Sequence, residues 1–369
     1  MNFSVLIKML SELIWYQICW INNFKIRIRQ PLILLILLLS NSKAYAQQEL
    51  SANRYLDAYK DYLDASCPIP KDDIKHFVYF ARDRSAIENH AFLNHSRFEG
   101  AQIMYPWVHL ERGEGKYDFS IIEADLSYLQ SNGKKLFIQL QDATFDPDFR
   151  ATPSYLHTEY YDHGDVMTIN EEGVHEGWVA KRWNKKVRHR FSRLLQALGS
   201  QFDGRIEGIN LQETAIDIEK NTEETFSPSK YVESIKENMM VMMQAFPRSA
   251  KLQYANFLPG EWLPWEDNGY LRSIYNYGEQ IGVGLGSPDL MINRKGQLNH
   301  PLAMMHESKY TVPLGIAVQD GNYIGMTGAD FPSSDANLLS NRASNLQIKN
   351  IVPVLHAFAK EFLKVQYMF

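Results

Sequence analysis

A single (β/α)8 barrel is the fold that this 369-residue sequence predicts. Three observations predict it. Eight short apolar, β-rich runs recur along the chain, each run but the last is followed by a helical pattern, and the length suits one large α/β domain. Parallel strands covered by helices on both faces need continuous apolar runs, and these runs are of that kind.

A polar, helical lead-in over 50–66 precedes the first strand, His76-Phe-Val-Tyr-Phe-Ala81. The second strand is Gly100 to Trp107, followed by a helix over 119–131 that the Asn132-Gly133 pair ends. The third is Lys135-Leu-Phe-Ile-Gln-Leu-Gln141, followed by a long polar, aromatic loop over 142–177 and a basic amphipathic helix to about residue 201. The fourth, Ile206 to Leu211, leads to a helix over 229–245 that stops before Pro247. The fifth and sixth, Lys251 to Phe257 and Gly282 to Leu285, flank a helix over 269–280. A helix over 300–307 leads to the seventh, Val312 to Val318, and one over 346–363 leads to the eighth, Lys364 to Phe369. The sequence stops inside that strand and reads as truncated there. No linker, internal repeat or second domain is visible, so 47–369 is expected to be one barrel.

Composition narrows the function. Hydrophobic residues make up 45% and charged residues 22%, which suits a chain with a full core. A net charge of -5 argues against nucleic acid as partner. Aromatics reach 12%; they fill a large core and can also stack on sugar rings. Of the two cysteines, Cys19 and Cys67, only Cys67 lies in the expected mature chain, so no internal disulfide is expected. No His/Cys/Asp spacing suggests a metal, and no cofactor is implied. Gly282-Val-Gly-Leu-Gly286 lacks the spacing of a dinucleotide loop.

Residues 1–46 read as an address. Lys25, Arg27 and Arg29 precede the apolar run Pro31 to Leu39, and Ala44-Tyr-Ala46 offers a cleavage site before Gln47. The run is too short to span a bilayer comfortably, so no stable membrane span is expected in the mature form. The apolar stretch 3–21 ahead of it reads as an extension from a start placed too far upstream, favoured because a complete export signal follows it; the alternative is a membrane-anchoring first helix. The expected location is periplasmic or extracellular, with cleavage near Ala46. Oligomeric state has no signature.

In such a barrel, chemistry collects where strands end. The residues there are Trp107, His109 and Glu111 after the second strand, Asp142 after the third, and Gln212-Glu213 after the fourth. Asn256, Glu261, Trp262 and Trp265 follow the fifth, Asp289 the sixth, and Gln319, Asp320, Asn322 and Tyr323 the seventh. Carboxylates, amides and tryptophans on one rim are what glycoside hydrolysis needs: two carboxyl groups, amides for hydroxyls and aromatic platforms.

The segment Tyr105-Pro-Trp-Val-His-Leu-Glu-Arg-Gly-Glu-Gly-Lys-Tyr-Asp-Phe-Ser120 resembles one found in clan A glycoside hydrolases, including bacterial β-galactosidase-like and cellulase-like enzymes. The resemblance implies an acid/base Glu at the end of the fourth strand, where Glu213 stands in Asn210-Leu-Gln-Glu-Thr214. The clan carries Asn before that Glu; here the residue is Gln212, whose amide could still bond a sugar 2-hydroxyl. The implied nucleophile at the end of the seventh strand is a Glu; here the position offers Asp320, one methylene shorter.

The expected activity is therefore a retaining glycoside hydrolase acting on a poly- or oligosaccharide, with Glu213 as acid/base and Asp320 as candidate nucleophile. Trp107, His109, Asp142, Gln212, Asn256, Glu261, Trp262, Trp265, Asp289, Gln319, Asn322 and Tyr323 are the candidate substrate contacts. The alternative is a non-catalytic carbohydrate-binding barrel. The basic run Lys181 to Arg190 reads as the wet face of a helix or as a contact for an acidic polysaccharide. Mass spectrometry of the exported protein is expected to find an N-terminus near Gln47; intact Met1 in a cytoplasmic fraction would overturn the export reading.

Overall fold

Eight parallel strands close into a barrel in the order β1-β8-β7-β6-β5-β4-β3-β2. They are β1 (Lys75–Tyr79), β2 (Phe98–Pro106), β3 (Lys135–Gln141), β4 (Gly208–Leu211), β5 (Ala250–Tyr254), β6 (Gly284–Ser287), β7 (Leu314–Ile316) and β8 (Tyr367–Met368). The structure, a computed structural model, describes residues 53–170, 172–218, 223, 225–262, 266–323, 326 and 350–369, with the side chains of Asp320 and Gly321 excepted. The address over 1–46, Trp265 and the start of the expected last helix lie outside the described residues. All described residues belong to one compact unit, Ser51–Phe369.

The continuous apolar strands have a simple cause. Leu136, Ile138 and Leu140 of β3 face outward into the large cluster shared with the helices, and Phe137 faces the barrel interior. Phe77, Leu252, Tyr254, Tyr367 and Phe369 fill that interior around Phe137. Above them a polar layer begins. Gln102 Nε2 donates to Asn210 Oδ1 at 2.8 Å, linking β2 to β4 across the inside.

Small residues admit this filling. A Cβ on Gly284 would sit 2.4 Å from Leu252 Cδ2, and one on Gly315 would sit 2.8 Å from Leu252 Cδ1. The glycine-rich sixth run is thus a packing device. The end of the barrel opposite the mouth is tied by charge: Lys75 and Lys135 reach Glu207 at 2.5 and 3.1 Å.

The helices start and stop on readable signals. They are α1 (Ser120–Ser131), α2 (Lys185–Phe202), α3 (Pro228–Ala245), α4 (Tyr270–Ile281), α5 (Lys295–Asn299), α6 (Pro301–Glu307) and α7 (Val352–Ala357), which continues as a π-helix over Phe358–Leu363. Asn184 Oδ1 caps α2 by accepting from the Lys186 and Val187 amides. Ser227 caps α3, whose first residue is Pro228. Gly282, at φ 77°, ends α4.

Two expectations need correction. The lead-in is a 3-10 turn, Ala58–Tyr62, whose neighbours Tyr55 and Tyr62 pack edge-on against Phe362 and Phe358. The long loop over 142–177 is no plain loop. Ala143–Thr144, Asp165–Ile169 and His175–Ala180 form a three-stranded antiparallel sheet. Its hairpin turns at Asn170, whose Oδ1 accepts from the Glu172 and Val174 amides.

The close approach of β6 to β7 makes a stability test. A Cβ on Gly286 would lie 2.0 Å from the Gly315 carbonyl oxygen, a backbone atom that cannot rotate away. Gly286→Ala is expected to cost roughly 1–3 kcal/mol or more by overpacking, read as a lower midpoint at unchanged slope in urea unfolding. A variant as stable as the parent would contradict this packing.

Candidate active site

The mouth of the barrel is organised from beneath by one buried ion pair. Asp142 follows β3 and takes a two-pronged contact from Arg182, Nε to Oδ2 at 2.7 Å and Nη2 to Oδ1 at 2.6 Å. Both side chains are buried. Arg182 Nη1 also donates to the Glu213 carbonyl oxygen at 2.9 Å and to the Tyr231 hydroxyl at 2.7 Å. Tyr231, on α3, donates onward to the Thr214 carbonyl at 3.1 Å. The turn after β4 is therefore held through its own backbone.

Glu213 sits on that turn. Asn256, just past β5, donates Nδ2 to Glu213 Oε2 at 2.6 Å, and its Oδ1 accepts from the Ala215 amide at 3.1 Å. Burial pushes the Glu213 carboxyl up to about 7, and the Asp289 carboxylate adds to the rise. The Asn256 hydrogen bond and the Arg182 charge oppose it. A carboxyl group in this state holds a proton near neutral pH and can lose it, as a general acid/base must.

Asp289 follows β6. Burial raises its carboxyl as well, while the bond from Asn322 Nδ2 at 2.8 Å and the Arg294 charge pull it down. Tyr79, at the end of β1, completes this group: burial raises its hydroxyl first, then the charge of Glu213 and, further on, that of Asp289. Nothing in the sequence around Tyr79 marks it except its place as the last residue of a strand. Asp320 opens the turn Asp320–Tyr323, which begins four residues past the end of β7; its side chain lies outside the described residues, as does all of Trp265.

Several expected contacts are engaged elsewhere. Trp107 is 0% exposed, donates Nε1 to Glu111 Oε2 at 2.8 Å and packs edge-on against Phe191. It opens the helical turn Trp107–Leu110 and lies in the wall, so it offers no platform. Glu111 also accepts from the Gly115 amide and from Arg190, both through Oε1. The Trp-to-Phe segment is thus a structural knot that leads through a β-ribbon, Glu111–Gly113 with Lys116–Tyr117, into α1.

Asp142 is committed to Arg182. Gln212 Oε1 accepts from the Asp142 and Ala143 amides at 2.8 and 2.7 Å, which welds β4 to β3 and removes that carbonyl from any sugar contact. Glu261 is 1% exposed and accepts from the Asn268, Tyr270 and Leu271 amides, capping α4. Tyr323 is buried, with its hydroxyl donating to the Leu290 carbonyl at 2.5 Å. Gln319 Nε2 reaches the Pro288 carbonyl at 3.4 Å. Asn256 and Asn322 each hold a carboxyl group, Glu213 and Asp289. Trp262 is half-buried and stacks at 6.5 Å on Phe257. His109 is exposed, 5.9 Å from the Phe149 ring.

The basic run is a wet face only in part: Lys185, Lys186 and His189 are exposed, while other members are engaged. Lys181 pairs with Glu223 at 2.8 Å, Arg188 with Glu237 at 2.5 Å and Arg190 with Glu111 at 2.5 Å, in addition to the Arg182 pair. At the opposite end of the barrel, Asp72, His76 and His356 bring potential ligand atoms within 4.8 Å of one another. The Asp72 carboxylate already accepts from the Ile74 amide, Arg97 and His356 at 2.8 to 2.9 Å, so the group works as a hydrogen-bonded tie between β1, β2 and α7.

No family model matches the chain, and no curated protein sequence matches it. Solved structures do. The catalytic domain of a beta-amylase from Paenibacillus polymyxa superposes with a TM-score of 0.51 at 9% identity, over 80% of this chain and 92% of that one. A xylanase from Paenibacillus barcinonensis gives 0.42 at 11% identity over 79% and 82%, and one from Cellvibrio japonicus 0.43 at 13% over 80% and 86%. The likeness to the beta-amylase domain is one of fold: the barrel expected from the sequence is a barrel that glycoside hydrolases use.

The state of Glu213 has a sign in stability. Its folded pKa, about 7, lies above its ordinary 4.5. Between those values the unfolded chain has released the proton that the folded one keeps, so stability falls as pH rises through this window. Glu213→Gln keeps an acceptor for Asn256 and removes the penalty. The variant is expected to melt higher than the parent at pH 8 and alike at pH 4; a parent-like difference at both pH values would contradict the buried carboxyl.

Proposed function

We propose that this chain is an exported glycoside hydrolase acting on a poly- or oligosaccharide, with Glu213 as its acid/base. The observation that carries the reading is a half-buried carboxyl group at the end of β4, pushed up to about 7 and held by Asn256. Protonated, Glu213 would donate to the leaving oxygen; deprotonated, it would take a proton from water. Asp320, first in the turn after β7, is the candidate for attack on the anomeric carbon, which would make the enzyme retaining. Asp289 is the carboxylate whose charge reaches Glu213, and it would hold that group protonated in the first step. Asn256 and Asn322 act as positioning residues for Glu213 and Asp289.

Arg182 supports the reading indirectly. It fixes the Glu213 backbone without touching the side chain, so the carboxyl is placed without being neutralised by a salt bridge. The competing reading, a binding barrel without turnover, shares the fold and differs only in the outcome of an activity assay.

Aryl glycosides and natural oligosaccharides test the roles. Glu213→Gln is expected to abolish hydrolysis of poor leaving groups and to spare activated aryl glycosides, which need no proton. Asp320→Asn is expected to remove both activities. The parent's kcat/KM is expected to fall as pH rises through about 7, where Glu213 loses its proton. An Asp320→Asn variant with full activity would end the nucleophile assignment, and a panel of glycans with no turnover would favour the binding barrel.

A further inference from the structure

The barrel closes on a thin seam. β8 is two residues long, and it meets β1 through Tyr367 beside Lys75 and Met368 beside His76. His76 also belongs to a buried group that reaches α7, the helix leading to β8. The rings of His76 and His356 stack at 5.5 Å, and both turn Nε2 to the one carboxylate of Asp72, at 3.4 and 2.9 Å. Both rings are buried. A charged carboxylate can only accept, so each neutral ring carries its proton on Nε2. Arg97 Nη1 and the Ile74 amide donate to the same carboxylate at 2.9 and 2.8 Å.

The charge of this group depends on pH. With both rings neutral, Asp72 balances Arg97. Burial raises the Asp72 carboxyl, but the Ile74 amide, Arg97 and His356 hold it down at about 2, so it stays ionised in mild acid. Protonating both rings would set three cations around one buried carboxylate. Lys360, four residues past His356, would add a fourth. On the 3-10 turn packed against α7, Lys60 is bound to Asp57 and Asp61 is exposed. Glu99 of β2 is bound to Lys135, and Lys75 of β1 to Glu207. Burial above all, then the neighbouring cations, lowers both rings from the ordinary 6.5 against the pull of Asp72. The sign follows. The support such a ring gives is complete above 6.5 and is lost as pH falls through its folded pKa.

We propose that Asp72, His76 and His356 form an acid-sensitive latch on the closing seam: when the two rings take up protons, β1, β8 and α7 part from one another while the far side of the barrel stays shut. The seam has little else to hold it, since β8 offers two residue pairs to each neighbour. His306 Nδ1 donates to the Phe362 carbonyl at 2.7 Å, a contact that a charged ring keeps as well as a neutral one. The latch does not depend on the reading of Glu213. The sign of Glu213 is opposite, because its raised carboxyl adds stability as pH falls below about 7.

Hydrogen exchange of the full protein at pH 7 and pH 5, in buffer containing EDTA and corrected for intrinsic exchange rates, reads the latch segment by segment. In the parent, protection over 75–79 and 352–368 is expected to fall about tenfold or more, since each proton taken up on opening is worth about tenfold per pH unit below 6.5. Protection of α2, on the far side, is expected to hold. His356→Gln keeps a donor for Asp72 and cannot charge, so it is expected to reduce the fall. Adding His76→Gln is expected to remove it. A parent seam equally protected at both pH values, a fall shared equally by α2, or a folded double variant that keeps the parent's fall would each overturn the latch. If the double variant does not fold, the parent and His356→Gln decide. His300, between α5 and α6, is another ring that burial lowers, to about 4. A fall that begins at α6 and survives the double variant belongs to His300 and overturns the latch.

Discussion

The mouth of this barrel depends on the Asp142–Arg182 pair. One buried guanidinium joins the end of β3, the turn after β4 and α3 through four hydrogen bonds at 2.6 to 2.9 Å and one relayed through Tyr231. A buried pair of this kind adds little net stability over an apolar replacement, but losing one partner strands a charge and costs about 3–5 kcal/mol. Its use here is geometric. The guanidinium is planar and rigid, so it sets the spacing between two strand ends that no packing of loops would fix. Gln212 repeats the weld one residue before Glu213, from side chain to backbone.

That construction lets Glu213 be unfavourably placed. Its side chain is half-buried near another carboxylate, with one amide as partner, and the loss of solvent works against the charged form. A free loop would turn such a group out to water. The backbone of Glu213 cannot turn, because its carbonyl is held by Arg182 and the next residue by Tyr231 and Asn256. Stability is thus spent at one position and supplied by the network beneath it, which is the usual relation between a strained functional group and its support.

Much of the fold was legible, because apolar runs and caps are local signals. Eight runs became eight strands, most of them shortened or shifted by a few residues, and Asn132-Gly133 marked the end of α1 as expected. The small sheet was not legible: its strands are short, and the Glu176 bulge breaks the two-residue alternation that would have revealed it. Of the site, the places of Glu213 and Asn256 were legible, while the contacts at Trp107, Asp142 and Glu261 were misread. Sequence position near a strand end says nothing of side-chain direction. In β3, Phe137 points inward, so by the two-residue period Gln139 and Gln141 do too, and Asp142 points away, toward Arg182. Parity would have caught that one. Nothing local would have caught Glu261, which caps α4 because the chain doubles back at Leu258.

Several departures from local rules lie on one side of the mouth. A bulge, a glycine that admits a carbonyl oxygen, an unpartnered buried hydroxyl and an exposed phenylalanine all lie within the segment 142–180, between β3 and α2. Elsewhere in the described barrel some departures have a packing reason, since the glycines of β6 and β7 yield to Leu252 and Gly208 yields to the ring of Phe137, while Asn238 Oδ1 and Ser287 Oγ are buried there without a partner. In the segment beside Glu213 the irregularities leave polar groups and an aromatic face unmatched rather than matched. Folding alone gives no reason to keep them so, since each has a cheaper apolar or paired replacement.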